Sequence, residues 1–507
     1  MQSPGVRHGE VQGTVTSPNQ SEQPTTGAAP VAAVIVLAAG QGTRMRSALP
    51  KVLHPLAGRP LLWHAVRAAA GVAPQRVVAV IGHGRDSVQQ YLATADDLAG
   101  VPLITAVQAE QRGTGHAVQC ALEVTGPLHG TVVVTYGDVP LLRPETLAEL
   151  TTEHARGGHA VTVLTAEVAD PTGYGRIVRD AAGAVTGIVE HADADERVRA
   201  LREINSGVYA FDGAVLADAL GRLTDSNAQG ERYLTDVVRI ARDDGHPVGT
   251  VRAADPAEIE GVNDRVQLAA MARRLGDRLV RAAQLAGVTI HDPATTYLHA
   301  DVQIGADTEI LPGTHLQAGT RIGSGCHIGP DTTLIDCTVD DGATVLRSHC
   351  QGAHIATRAH VGPYTHLRPG SEIGAGAEVG AFVEVKKARI GAGAKAHHLA
   401  YLGDAEVGDG ANIGAGVITA NYDGVSKSVT AIGAQSFVGS NATLVAPVAI
   451  ADGAYVAAGS TVTDAVPAGD LAVARGHQHN STGWVLRRRA GTRSDSAARA
   501  AGAGDAT

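Results

Sequence analysis

The chain predicts two architectures in tandem, an α/β domain with a mostly parallel sheet and then a parallel β-helix of hexapeptide repeats. Two patterns carry this prediction. Between Ile304 and Val462 an aliphatic residue returns every sixth position: Ile304, Ile310, Leu316, Ile322, Ile328 and Leu334, then Val361, Leu367, Ile373, Val379 and Val385, and last Ile432, Val438, Leu444, Ile450, Val456 and Val462. Many are followed at once by glycine, as in Ile322-Gly323, Ile373-Gly374 and Val438-Gly439. A period of six fits neither a 3.6-residue helix nor a two-sided strand. It fits flat rungs, each hexad giving one short strand and one tight turn, stacked so that the aliphatic side chains form an inner ladder. Glycine supplies the positive-φ or crowded backbone positions at the corners. The second pattern lies upstream, where short apolar runs alternate with helical spacing over roughly 200 residues, the signature of an α/β sheet.

The elements follow in order. Residues 1–30 are rich in Ser, Pro, Gln, Thr and Gly and read as a disordered extension. Order begins at Val31–Leu37, a run typical of a buried parallel strand. Further strands are predicted at Arg76–Ile81, Thr131–Tyr136 and Ala160–Leu164, with helices over Pro60–Gly71 and His116–Val124. The α/β domain spans 31–262. Residues 263–287, charged and rich in Ala and Leu at helical spacing, form a linking helix. The β-helix domain takes 288–478, its rungs starting after His291-Asp-Pro293 and ending near Val473. Ala420–Thr430 breaks the hexad rhythm and marks a loop projecting from one corner. With three hexads per turn, about eight or nine coils are expected, roughly 40 Å tall at the spacing of adjacent strands. Residues 479–507, basic around Arg487-Arg488-Arg489 and then Ala-, Gly- and Ser-rich, read as a flexible tail that includes Trp484.

Composition narrows the function. Aromatics are scarce at 3% and glycines number 62, which suits a narrow interior filled by small aliphatic residues. A net charge of −10 without a long basic stripe argues against a nucleic-acid partner. Anionic ligands need locally basic pockets instead. The four cysteines, Cys120, Cys326, Cys337 and Cys350, have no metal-ligand spacing and read as core thiols in a reducing cytoplasm. No apolar run is long enough to span a bilayer, and the amino end lacks the order of a signal peptide.

The first chemical signature follows the opening strand: Leu37-Ala38-Ala39-Gly40-Gln-Gly-Thr-Arg44-Met, then Pro50-Lys51-Val-Leu. A Gly-rich turn after the first strand of an α/β sheet is a usual place for phosphates. It lacks a third Gly at Rossmann spacing and a Gly-Lys-Ser/Thr, so neither NAD nor a P-loop is favoured. Taken alone, an ordinary strand-to-helix turn with surface charges explains it equally well. The segment is, however, similar to the opening of sugar-nucleotide pyrophosphorylases, and later motifs match in order. They are Gln108-Ala-Glu-Gln-Arg-Gly113-Thr114-Gly-His116, Tyr136-Gly137-Asp138-Val-Pro, Gly173-Tyr-Gly175-Arg176, Glu190, Asn205 and Glu260-Gly-Val-Asn263.

A second signature lies within the hexads, where polar residues replace the filler: Leu367-Arg368-Pro-Gly, Val383-Glu-Val-Lys386-Lys387, and Lys395-Ala-His397-His398-Leu-Ala-Tyr401-Leu-Gly-Asp404. Asn412-Ile-Gly and the loop Asn421-Tyr422-Asp-Gly follow. With both motif sets, the chain from about 31 to 486 resembles the bifunctional N-acetylglucosamine-1-phosphate uridyltransferase/glucosamine-1-phosphate acetyltransferase family.

The resemblance implies an α/β nucleotidyltransferase domain (Rossmann-like, mostly parallel sheet) followed by a left-handed parallel β-helix. It implies acetyl-CoA-dependent N-acetylation of glucosamine 1-phosphate, then uridylyl transfer from UTP to N-acetylglucosamine 1-phosphate with release of pyrophosphate. The product, UDP-N-acetylglucosamine, feeds peptidoglycan and other cell-envelope polysaccharides. In the first domain the resemblance implies Mg²⁺ on Asp138 and Asn263, with Arg44 and Lys51 offsetting charge in catalysis. The nucleotide and its sugar are implied to meet Leu37, Ala38, Ala39, Gly40, Lys51, Gln108, Gly113, Thr114, Tyr136, Gly137, Asp138, Gly175, Glu190, Asn205 and Asn263. In the β-helix, His398 is implied as general base, a task that imidazole suits because its ordinary pKa lies near working pH. Arg368, Lys386, Tyr401 and Asn412 are implied to hold the amino-sugar phosphate. Asn421, Tyr422, Ser440, Ala458 and Arg475 are implied to line the acetyl-CoA groove. A homotrimer with sites between adjacent prisms is implied as well.

Departures from the family pattern exist. His397 stands where the family usually carries a small residue, and residues 1–30 have no counterpart in the family core. Neighbouring strand residues point to opposite faces, so only one of His397 and His398 can face a given site; the motif His-Leu-x-Tyr picks His398. Two alternatives stay open on the residues alone. One is a monofunctional sugar-nucleotide pyrophosphorylase whose β-helix is a scaffold. The other is a non-catalytic subunit, which has no use for Arg44, Lys51, Asp138 and Asn263.

Overall fold

The computed structural model describes residues 30–95, 98 and 100–504. The extension expected over 1–30 lies outside them except for Pro30. By contact the chain divides into two units, one of residues through His54 with Pro60–Gln267, the other of Pro55–Arg59 with everything from Leu268 onward.

The first unit is built on nine strands: β1 (Val31–Ala38), β2 (Val77–Ile81), β3 (Leu103–Val107), β4 (Thr131–Tyr136), β5 (Val161–Glu167), β6 (Arg176–Arg179), β7 (Val185–Val189), β8 (Glu203–Asp212) and β9 (Val248–Arg252). Seven run side by side in the order β9-β5-β8-β4-β1-β2-β3, while β6 and β7 form an antiparallel pair hung on β8. β1, β2, β3 and β4 are mutually parallel, and β8 is antiparallel to both β4 and β5. β1 is buried at every residue, as its unbroken apolar run requires of a strand covered on both faces. Helices at Leu61–Ala70, Thr114–Thr125 and Pro144–Gly157 follow β1, β3 and β4. Because parallel strands end on the same side, the segments after β1, β3 and β4 open at one edge of the sheet.

The second unit is a left-handed parallel β-helix. Its short strands stack into three faces of eleven, ten and nine parallel strands. The first face starts at Thr289–Ile290 and ends at Leu471–Ala472. The hexad residues line the interior, with Ile310, Leu316, Ile328, Leu334, Val361, Leu367, Val379 and Val385 fully buried. The stack holds about ten coils rather than the eight or nine expected. Part of the difference is length, since pairing begins ahead of His291. The rest is rhythm. Leu334 to Val339, Cys350 to Ile355, Val385 to Ile390 and Leu402 to Val407 are steps of five rather than six, so the same residues make more turns.

Two residues before each ladder position sits a second buried row of small side chains, among them Thr308, Thr320, Ser348, Thr365 and Ser371. Their hydroxyls bond backbone groups of the same or the next coil, as in Thr365 Oγ1 to Gly380 O at 2.7 Å and Ser371 Oγ to Val385 O at 3.0 Å. These bonds give the buried hydroxyls their partners, Val385 O accepting from Arg368 N as well. The glycine after a ladder residue answers crowding: a Cβ on Gly374 would lie 2.7 Å from the Ala392 amide nitrogen of the next coil. Positive φ at the corners is not reserved for glycine, contrary to the simple expectation. Tyr364, Phe382, Leu399, Asp404 and Asn441 all adopt it.

Between Ile418–Ala420 and Thr430–Ile432 the loop leaves the prism and returns, as the broken rhythm predicts. The linking helix runs Arg265–Leu285. The segment read as a flexible tail holds two short helices, Trp484–Arg488 and Arg493–Ala500. Thr492 caps the second by accepting from Asp495 N, and Asp495 pairs with Arg499 at 3.0 Å. This local cap and ion pair favour the second helix. Trp484 is covered by the Arg489 guanidinium, 5.0 Å from its ring centroid.

Candidate active sites

In the first unit a cavity of about 260 Å³ opens where β1, β3 and β4 end. Leu37, Ala38, Ala39 and Gly40 reach it from β1, and Gln108, Gly113 and Thr114 from the segment after β3. Lys51, Tyr136 and Asp138 complete the set, so ten of the residues expected to meet the nucleotide line one cavity. The Lys51 ammonium forms an ion pair with the Asp138 carboxylate and donates to Asn263 Oδ1 at 3.3 Å. Asn263 is brought there by Val262, whose amide donates to the Asp138 carbonyl at 2.9 Å. Gly137, whose amide donates to Leu37 O at 2.8 Å, locks β4 to β1 beside the same cluster.

Gly175, Glu190 and Asn205 form a second group just outside that lining. Asn205 N donates to Gly175 O at 2.9 Å, and a Cβ on Gly175 would lie 3.3 Å from Glu190 Oε2. Burial pushes the Glu190 carboxyl up, against a hydrogen bond from Thr235. Tyr136 joins the two groups. Its phenol is pushed up by burial first, then by Glu190 and by Asp138.

Arg44 is not brought to the cluster. It lies on the short 3-10 turn Thr43–Met45, exposed and outside the cavity lining. Conversely, Gln111, Val52, Ala117 and Glu231 line the cavity without having been singled out. Gln111 donates to Ala39 O at 2.8 Å, and its place inside the Gln108–His116 motif was the available signal. Glu231 had none. It arrives because Arg232 N bonds Arg112 O and Leu234 N bonds Thr114 Oγ1, docking a distant loop on the motif. Gly113 has φ +97°, and a Cβ there would lie 2.6 Å from Arg232 O, so this close approach demands glycine.

In the β-helix, register decides which residues meet. His398 ends a first-face strand and stands at the corner where the chain turns onto the second face. Gly416 N bonds His398 O, Asn441 N bonds Ala415 O, and Gly459 N bonds Ser440 O. These bonds align His398, Ala415, Ser440 and Ala458 in one column up that edge, one coil apart at about 4.8 Å per step. Arg475 ends the column, its Cδ 4.0 Å from a Cβ built on Gly459. The residue expected as base and three residues of the expected acetyl-CoA groove therefore share one edge.

Arg368 and Lys386 stack on the next corner, between the second and third faces. Arg368 Nη1 bonds Glu384 Oε1 at 3.0 Å, and Lys386 Nζ lies 4.0 Å from Asp404 Oδ2. Asn421, buried at the root of the loop, donates to the same Asp404 carboxylate. The loop also returns Lys427 beside Lys386, which holds the Lys427 ammonium below its usual range. Sequence reasoning missed Lys427 because it lies outside the hexad register. Tyr401 sits on the second face between the two corners, Asn412 on the first face, and Tyr422 at the exposed loop tip. No cavity described gathers both corners. His397 Nε2 lies 2.8 Å from Glu378 Oε2 on the first face and His398 is exposed, but the two rings meet edge to face at 5.8 Å and line one cavity. This is contrary to the expectation that only one of them faces a given site, because His398 stands at the corner where strand alternation ends.

Comparisons with known proteins agree with this division. The profile of a MobA-like NTP transferase domain matches residues 34–277, and that of the bacterial transferase hexapeptide (six repeats) matches 301–336. The bifunctional protein GlmU of Streptomyces coelicolor is 54% identical over 472 residues, 92% of this chain and 97% of that protein. That of Streptomyces avermitilis is also 54% identical, over 93% of this chain and 97% of its own. That of Corynebacterium aurimucosum is 52% identical, over 91% and 94%. With both domains matched in order and nearly the whole length aligned, the chain belongs to the family of bifunctional GlmU proteins.

Proposed function

We propose that the two sites carry out successive steps to UDP-N-acetylglucosamine: acetylation of glucosamine 1-phosphate, then uridylyl transfer to the product. The observation that carries this reading is the meeting of Lys51, Asp138 and Asn263 at one end of a cavity lined by the expected nucleotide residues.

In the β-helix, the neutral imidazole of His398 accepts a proton from the sugar amine as its nitrogen attacks the thioester carbonyl. The C–S bond breaks, and coenzyme A leaves as the thiol once it takes up a proton. Arg368 and Lys386, with Lys427 beside them, form a cationic corner suited to the sugar phosphate. Ser440, Ala458 and Arg475 offer a narrow edge, without bulky side chains until Arg475, along which an extended pantetheine chain can lie.

In the first unit, a phosphate oxygen of N-acetylglucosamine 1-phosphate attacks the α-phosphorus of UTP, and the bond to the bridging oxygen of pyrophosphate breaks. The chain's own task is positioning and charge neutralisation. Lys51 supplies a cation within the cavity, and Arg44, exposed on the turn that follows β1, is a second cation for the phosphates. Asp138 and Asn263 present a carboxylate and an amide oxygen to one point, where the Lys51 ammonium now bonds both. Two hard oxygens, the rest being phosphates and water, suit Mg²⁺. When bound, Mg²⁺ supplies neutralisation of the phosphate charge.

We infer a homotrimer in which a neighbouring prism completes the acetyl-transfer site, because His398 and Lys386 occupy different corners. No helix described is long and apolar enough to cross a membrane. The four cysteines are buried and unpaired. With nucleotide and acetyl-CoA as co-substrates, the cytoplasm is the compartment that supplies both.

The test follows free thiol from purified protein given glucosamine 1-phosphate and acetyl-CoA, then pyrophosphate once UTP and Mg²⁺ are added. Both signals are expected, and His398→Ala should abolish only the thiol. Pyrophosphate from supplied N-acetylglucosamine 1-phosphate with no thiol release would make the β-helix a scaffold.

A further inference from the structure

His398 stands exposed at its corner, and among the described residues nothing hydrogen-bonds its ring. An exposed imidazole changes rotamer freely, and every rotamer that aims the accepting nitrogen elsewhere is lost to catalysis. The ring that meets it is His397, edge to face with centroids 5.8 Å apart. His397 is itself tethered. Lys395 and His397 lie two apart on the strand Lys395–His398 and share its outer side, with Ala396 buried between them. Glu378, in register with Lys395 one coil away, reaches both. Its Oε1 lies 3.5 Å from Lys395 Nζ and its Oε2 2.8 Å from His397 Nε2. The hydrogen bond from His397 and the charge of Lys395 hold the Glu378 carboxyl below its usual range. An ionised carboxylate can only accept, so His397 Nε2–H donates to it whichever form Nδ1 takes. Glu378, His397 and His398 line one cavity of about 250 Å³.

We propose that His397 is a positioning residue for acetyl transfer: tethered by Glu378, its ring narrows the orientations open to His398 and keeps that base aimed at the sugar amine. The proposal rests on reading His398 as the base. His397 takes no proton from the amine and gives none to the thiol. Its effect is on how often the accepting nitrogen is in place, which enters the rate of the chemical step and not the affinity for either substrate. Glu378 acts one step further back. Without it the His397 ring turns freely, and the contact with His398 loses its direction. A His397 that merely stapled Glu378 to the first face would leave the His398 step unchanged.

The experiment uses the full chain with glucosamine 1-phosphate and acetyl-CoA, and follows thiol release as a single-turnover rate and as KM for each substrate. The thermal transition of each sample reports on folding. Loss of one edge-to-face contact is expected to slow the single-turnover rate of His397→Ala by about threefold to tenfold, with both KM values unchanged. His397→Gln keeps a donor for Glu378 but has no ring, and is expected to be slowed as much. Glu378→Ala is expected to slow the unaltered protein but not H397A, since it acts through the ring that H397A lacks. An unchanged rate in H397A overturns the proposal. So does full rate in H397Q, which would leave His397 only its bond to Glu378. Equal slowing by E378A with and without His397 overturns it as well, because Glu378 would then act on His398 directly. If H397A does not fold, H397Q is judged alone against the unaltered protein. Thiol release that survives His398→Ala overturns the reading of His398 as the base, a separate result from an altered rate.

Discussion

Asn263 Oδ1 accepts a hydrogen bond from Lys51 Nζ at 3.3 Å, although 212 residues separate them, and the same ammonium is paired with Asp138. Three side chains from three distant segments therefore share one point at the end of β4. Two oxygens that converge on a cation here can converge on a divalent ion when phosphates draw the lysine to themselves.

Asp138→Asn keeps the size of the side chain and removes its charge. Uridylyl transfer is expected to fall by about 10²–10³-fold, the scale of losing one preorganised electrostatic group. Acetyl transfer, measured by thiol release on the same sample, is expected to be unaffected. An equal fall in both activities would mean a folding defect instead.

Glu258 is a fully buried carboxylate, held by Arg143 Nε at 2.8 Å and by Thr146 Oγ1 at 2.5 Å. It ties the turn Pro256–Ile259, just ahead of Asn263, to the start of the helix Pro144–Gly157. Arg143→Ala leaves that carboxylate buried without its cation and is expected to cost about 3 kcal/mol in the first unit. Urea titration of the full chain, following the transition of that unit, checks it. A cost within error of zero would show that water or Thr146 suffices.

His154 is buried, its Nδ1 3.0 Å from Thr162 Oγ1, and burial together with His159 lowers its pKa to about 4. The folded value lies below the unfolded one near 6.5, so the neutral ring is the form that folding favours. Its contribution to stability is fully present above about pH 6.5 and declines as pH falls from there toward 4. The melting temperature of the first unit should drop across that window, and less steeply in His154→Gln. Parallel pH profiles for the two proteins would remove His154 as the cause.

Cys350 takes an aliphatic place in the second-face ladder, paired in register with Leu334 and Leu367 and fully buried. Burial pushes its thiol far above the usual range. Cys350→Ser is expected to destabilise the β-helix by about 1–3 kcal/mol, since the hydroxyl is desolvated in an apolar column. Cys350→Val, matched in size and polarity to its neighbours, is expected to cost less than about 1.5 kcal/mol. Thermal denaturation of both variants distinguishes a polarity cost from a simple intolerance of change.

Much of this protein was legible from the chain because the signals were local. A six-residue aliphatic period specifies its own stacking, since each rung buries its side chain only against the next. Buried strands such as Val31–Ala38 and Thr131–Tyr136 declared themselves by unbroken apolar runs. Leu37 to Gly40 and Asp138 sit where such strands end, and the resemblance to the family's motifs names them together with Gln108 and Gly113. The tertiary structure decided what depends on long-range register and on competition between partners. It set Asn263 beside Lys51, docked Glu231 on the Gln108–His116 motif, and turned the Gln108 amide by placing the Gly113 carbonyl beside it. It also set which residues stack on His398 and Lys386 from coil to coil, because five-residue steps such as Val385 to Ile390 shift the register and the pattern of any one hexad does not record them. Sequence periodicity reports which side of a strand is buried; only the folded chain reports which distant group a polar side chain meets, because that choice is made by hydrogen-bond geometry.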